Sequence, residues 1–250
     1  MLGLSNERPI ILYDQLGSGK SDRPDDPAHW RIDRYIEELE SVRLAIGAEK
    51  IHIIGQSWGS AIALEYAAKY PERVASTALG GTFISTIHWI TDANILVGQM
   101  SAGDRDLIRA CESAEPPSAS ECNIAFNRAY SEYYVEPDSE AYDRYVETYG
   151  GQGSNDLIYN RMWGPSEFAS TGLLQNYDAT PKLLELNGSR TLFLIGQYDS
   201  ARIDTVQEFV TLTVGAELAV VPGASHGFIL DRPIETEAIL RGWLRRMDEG

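Results

Sequence analysis

Cysteine is nearly absent from this sequence: Cys111 and Cys122 are the two among 250 residues. Two cysteines cannot build a disulfide framework, and neither has a second Cys or a His at metal-ligand spacing. The chain therefore reads as a reduced, cytoplasmic protein with no metal site. Positive charge is scarce as well. Lys and Arg number 21 against 37 Asp and Glu, a net charge of −16. Such a chain repels phosphate, which argues against nucleic acid and anionic lipid surfaces as partners. No apolar run reaches the roughly 18 residues that a membrane helix needs. The opening residues, MLGLSNERPIILYD, lack the basic segment and long apolar stretch of a signal peptide. Repeats and low-complexity tracts are missing too. What is present, 43% hydrophobic and 10% aromatic residues, is the composition of a folded globular chain.

Short apolar runs alternate with amphipathic stretches. Pro9–Tyr13 (PIILY), Ile51–Ile54 (IHII), Ala75–Leu79, Thr191–Ile195 (TLFLI) and Glu217–Val221 (ELAVV) read as buried strands. Helices are expected at Ile32–Leu44, ending at Gly47, at Ala61–Tyr70, ending at Pro71, at Arg202–Thr213, and at Pro233–Met247. Between about Thr82 and Leu186 the strand rhythm stops. That stretch is helical in tone and holds Tyr130, Tyr133, Tyr134, Tyr142, Tyr145, Tyr149, Tyr159 and Tyr177. The expected organisation is an α/β fold with a mostly parallel sheet. Residues 1–81 and 187–250 form its core and residues 82–186 a helical cap. Sites in such sheets lie beyond the carboxyl ends of the strands, and the cap would cover that end.

Three residues fall at those ends. Gly55-Gln56-Ser57-Trp58-Gly59 matches G-x-S-x-G between a strand and a helix, the setting of a nucleophile elbow. A tight, strained turn exposes the serine, and small flanking residues make room for it. The Trp58 N–H at the helix start is placed to donate to an oxyanion. A turn with packing glycines and a serine cap is the plainer reading. A serine hydroxyl needs a base and an orienter. His226 follows ELAVV in Pro-Gly-Ala-Ser-His-Gly-Phe, whereas His52 lies within a strand, His29 in a Pro- and Asp-rich loop and His88 at the start of the cap. Asp199 follows TLFLI, with Asp204, deeper in the next helix, as its competitor. The order Ser57, Asp199, His226 is that of α/β-hydrolases. Gly17-Ser18-Gly19-Lys20-Ser21 imitates a phosphate loop, but the first glycine of that pattern is replaced by Asp14, whose carboxylate opposes phosphate.

Tyr13 to Asp22 (YDQLGSGKSD), Gly55 to Ser60 (GQSWGS) and Trp163 to Phe168 (WGPSEF) together resemble the proline iminopeptidase family of α/β-hydrolases, from about Arg8 to the C-terminus. The resemblance implies a cofactor-free serine exopeptidase that removes N-terminal proline, or a related amidase. Its substrates would be small peptides or amino acid amides, with neither nucleic acid nor membrane as partner. It implies Ser57 as nucleophile, Asp199 as orienter and His226 as base. Glu167 matches a cap carboxylate that binds the substrate's free amino group. Two departures stand out. A glutamate often follows the catalytic aspartate, and here Ser200 occupies that place. The His-Gly-Gly-Pro loop that supplies a second oxyanion N–H, and the strand leading into it, are missing, so the chain reads as N-terminally shortened. By family topology that strand lies between those at Pro9 and Ile51. The alternatives are an esterase, lactonase or amidase with the same triad, and a catalytically impaired homologue.

Overall fold

The computed structural model describes residues 2–113, 115–131, 140, 142–144, 147 and 155–249. Four strands, β1 (Ile51–Gln56), β2 (Val74–Gly80), β3 (Thr191–Gly196) and β4 (Glu217–Val221), form one parallel sheet in sequential order. The register pairs Gly55 with Leu79, Leu79 with Phe193, and Phe193 with Leu218. Alternating side chains serve opposite faces, as the strand period of two requires. Leu79, Phe193 and Ile195 enter a core with α1 (Ile32–Ala45) and α2 (Trp58–Lys69). Ala78, Leu192 and Leu194 enter a second core on the other face. Burial on both faces is why these strands are apolar runs and not alternating ones.

The interval between β2 and β3 carries α3 (Thr86–Val97), α4 (Ala102–Cys111), α5 (Ala119–Ser131) and α6 (Asp156–Met162), and no strand among the described residues. β3 leads to α7 (Ile203–Leu212) and β4 to the single turn α8 (Phe228–Asp231), followed by α9 (Pro233–Glu249). The second core is closed by Leu240, Trp243 and Leu244 of α9 and by Leu4. No helix among the described residues is long and apolar enough to cross a membrane. Tyr133, Tyr134, Tyr145 and Tyr149 of the cap lie outside the described residues, as does the side chain of Tyr130.

Two expectations fail here. Pro9–Tyr13 is not a strand. Ile11 and Leu12 are 49% and 56% exposed, and only Ile10 packs against the second core. A strand is defined by its ladder, and β1 pairs on one side only, with β2. The apolar run is present, but no segment among the described residues pairs with it. The cysteines are also not free: Cys111, the last residue of α4, is bonded to Cys122 in α5, with Cα atoms 5.4 Å apart. One bond between two adjoining helices needs geometry and no framework, so a low cysteine count did not exclude it.

Candidate active site

The site is built at the carboxyl rim of the sheet. Ser57 follows β1 with φ 54° and ψ −122°, the one positive φ outside glycine among the described residues. A side chain held in that region costs on the order of 1–3 kcal/mol, and the surroundings impose it. The Ser57 N–H donates to Gly80 O at 2.8 Å, and Ser57 O accepts from the Ser60 N–H at 2.8 Å and from Ser60 Oγ at 2.6 Å. The elbow closes so tightly that a Cβ on Gly55 would stand 2.0 Å from Gly59 O, whereas one on Gly59 would meet nothing within 4 Å. The expected need for small residues on both sides therefore holds on one side only. Trp58 opens α2, three residues ahead of the expected start, in the first turn where N–H groups have no intrahelical acceptor.

Asp199 and His226 meet beside this elbow. Asp199 Oδ1 lies 2.8 Å from His226 Nδ1, with the carboxylate side chain fully buried and the imidazole 18% exposed. The same carboxylate accepts from the N–H groups of Ala201 at 3.0 Å and Gly196 at 3.4 Å. Asp204, the competitor, has an 87% exposed side chain that faces Arg202. Gly81, with φ 47°, forms the wall: a Cβ there would lie 2.9 Å from two imidazole atoms and 3.3 Å from Asp199 Oδ2. The loop carrying the histidine is pinned twice. Gln56 Nε2 donates to His226 O, and buried Asp231 accepts from the Ser225 N–H at 2.8 Å and Oγ at 2.6 Å. Burial pulls the imidazole pKa down, but Asp199, by charge and hydrogen bond, together with Glu167 and Asp231, moves it net upward. The other histidines lie elsewhere. His52 bonds Ser76 and Asp248, His88 packs edge-on against Phe209, and His29 ends a short turn.

Over the rim lies a cavity of about 270 Å³ bordered by Ser57, Trp58, Phe83, Trp89, Trp163 and Glu167. The Trp89 ring stands edge-on to the imidazole at 5.3 Å, and Phe83 stands edge-on to both Trp89 and Trp163. Glu167 accepts from the Tyr159 hydroxyl and from Trp89 Nε1 at 3.3 Å. Ser200 Oγ lies 3.5 Å from Asp199 Oδ1. The front wall is Gln15 to Ser18, and the N–H groups of residues 16–18 are already used. Leu16 N–H donates to Glu38, Gly17 N–H to Asp22 O and Ser18 N–H to Gln15 O, each at 2.8–2.9 Å. Asp14 accepts from the Lys20 N–H at 2.9 Å and fills the space beside Gly19, so that turn is closed by its own carboxylate.

Sequence reasoning missed Gly81, Phe83, Gln15 and Asp231. Gly81 and Phe83 follow β2 directly, and the rule that selected Asp199 applies equally to them. Gln15, which accepts from the Trp58 indole at 3.1 Å, and Asp231 carry no comparable signal.

The chain matches the alpha/beta hydrolase fold family over residues 3–233. It is 33% identical to the proline iminopeptidase of Heyndrickxia coagulans, covering 96% of this chain and 83% of that one. It is 30% identical to that of Levilactobacillus brevis, covering 99% and 82%. The crystal structure of the Mycobacterium smegmatis proline iminopeptidase superposes with a TM-score of 0.78 at 28% identity, over 94% of this chain and 79% of that one. With the family match, the 33% identity over nearly the whole chain and the shared fold in agreement, the chain belongs to the proline iminopeptidase family of α/β-hydrolases.

Proposed function

We propose that the protein is a serine exopeptidase that releases N-terminal proline, or a similar small residue, from peptides or amino acid amides. Neither nucleic acid nor a membrane takes part. The observation that carries this reading is the buried Asp199 bonded to His226 beside a serine held at positive φ. Asp199 fixes the proton on Nδ1, which leaves Nε2 to take the hydroxyl proton of Ser57. Ser57 attacks the amide carbonyl and the Trp58 N–H steadies the oxyanion. His226 then returns the proton to the leaving amine, and water releases the acyl group by the same steps. Phe83, Trp89 and Trp163 receive an apolar ring, and Glu167 receives the free ammonium, a charge-assisted bond. Residues 82–186 act as the cap over a core of 1–81 and 187–250.

The test is release of proline from a prolyl arylamide by the purified chain and by Ser57→Ala. The wild type cleaves and the variant does not. Equal cleavage by both sinks the assignment. A second reading, an amidase or esterase with the same triad, is favoured by Ser200, since a serine supplies no second carboxylate for an ammonium. Preference for an N-blocked over a free-amine substrate would select it. A third, the impaired homologue, is favoured by the occupied N–H groups at residues 16–18, because loss of one oxyanion donor costs ~10²–10³ in rate. Stoichiometric labelling of Ser57 by a fluorophosphonate would exclude it.

A further inference from the structure

The carboxylate assigned to the substrate's ammonium sits in a tight turn bridged by Ser166 and Ala169, between two residues that are each 2% exposed, Ser166 and Phe168. Contacts to the neighbouring helices hold that turn. Ser166 Oγ donates to Glu112 Oε1 at 2.6 Å and accepts from the Phe168 N–H at 3.1 Å. Glu112 is the residue directly after Cys111. The Phe168 ring is buried in the same cluster as Cys111 and Cys122, against Phe126 at 6.3 Å between ring centroids. Phe168 O accepts from Asn94 Nδ2 of α3 at 2.8 Å, and Ser166 O from the Trp163 indole at 2.7 Å. Both neighbours of Glu167 are thus tied to the point where α4 and α5 are joined covalently.

We propose that the Cys111–Cys122 bond and the Ser166–Glu112 hydrogen bond form a clasp that fixes Glu167 at the cavity wall, so that the disulfide-linked helix pair is a positioning element for free-amine recognition. The inference rests on the reading of Glu167 as the ammonium site. A carboxylate contributes most to a charge-assisted bond when its direction is held before the substrate arrives, since ordering it at binding consumes part of the gain. Ser166, Glu112 and the two cysteines do not border the cavity that Glu167 lines, so the clasp acts on binding and leaves the reacting atoms alone.

Steady-state kinetics separate the two effects. The substrates are a prolyl arylamide and p-nitrophenyl acetate, an ester without an amine. Ser166→Ala is expected to raise KM for the prolyl arylamide about 5–10-fold, the scale of one charge-assisted hydrogen bond lost at partial exposure. Its kcat and its ester hydrolysis stay unchanged. Glu112→Ala follows it, and Glu112→Gln, which keeps an acceptor oxygen, restores the wild-type KM. Cys111→Ala with Cys122→Ala shifts KM the same way. Thiol titration of the denatured wild type finds no reactive thiol. Two free thiols, or an unchanged KM in Ser166→Ala and the double variant, overturn the clasp. So does a loss shared equally by both substrates, which marks a general structural role. If Glu167→Gln itself matches the wild type on the prolyl arylamide, the ammonium reading has failed and the clasp falls with it. That result differs from one in which Glu167→Gln loses affinity while the clasp variants do not.

Discussion

The sheet rim and the helical interval between β2 and β3, the proposed cap, line one cavity, and they hold the residues of the proposed site by different means. On the rim, Ser57, Asp199 and His226 are placed mainly by main chain, with the side chains of Gln56 and Asp231 bracing the histidine loop. A parallel ladder, a positive φ, and approaches at Gly55 and Gly81 that admit no side chain locate them. In the cap, Glu167 is placed by side chains: a serine–glutamate bond, an asparagine reaching a carbonyl, a phenyl ring in a small core, and one disulfide. Backbone placement is rigid because its hydrogen bonds are shared with the fold. Side-chain placement is local, so it can change without dismantling the sheet. On the proposed function, bond-breaking geometry belongs to the rigid half and selectivity to the adaptable half.

Substitutions sharpen this division, the most damaging first. Gly55→Ala puts a Cβ against Gly59 O and is expected to prevent the elbow from forming, with no fluorophosphonate labelling and a cooperative melt lost or lowered. Gly59→Ala meets open space and gains up to ~1 kcal/mol in helix propensity, so it melts at or above the wild type. If the two behave alike, backbone closeness at Gly55 is not what shapes the turn. Asp199→Asn keeps the size of the side chain but reverses its hydrogen-bonding sense toward Nδ1. A fall of about 10⁴ in kcat, as for the same exchange in other serine triads, with an unchanged melting temperature, is the expected result. A loss confined to KM would contradict the rim's assignment to chemistry.

The smallest effect is on pH. Burial lowers the His226 pKa, yet the carboxylates around it win and raise it above the ordinary value of ~6.5. Catalysis needs the neutral imidazole, so kcat/KM falls as pH drops through a midpoint above that value. Removing a nearby negative charge lowers the pKa. Glu167→Gln, from the cap, and Asp231→Asn, from the core, are both expected to move the acid limb to lower pH, which a pH profile of ester hydrolysis reads directly. An upward movement would show that the two carboxylates do not act on the imidazole through their charge.

The sheet was legible because each of its strands packs against a core on both faces, which writes an apolar run into the sequence. The three residues proposed as a triad were legible because each follows such a run. Asp199 rather than Asp204 was legible for the same reason, and the 87% exposure of Asp204 agrees. Pro9–Tyr13 misled because its apolar run is as clear as the others, while a ladder depends on a second segment that local pattern does not encode.

Residue order and local chemistry by themselves determined where strands, turns and reactive side chains fall along the chain, because hydrophobic period, glycine and chain order are properties of short stretches. Only the tertiary structure decided that Cys111 meets Cys122, that Asp231 braces the histidine loop, that the N–H groups at residues 16–18 are occupied, and that Glu167 stands between two anchored neighbours. Each of these is a contact between segments remote in sequence or set by the surrounding fold, and such contacts depend on distances that exist only once both cores have closed.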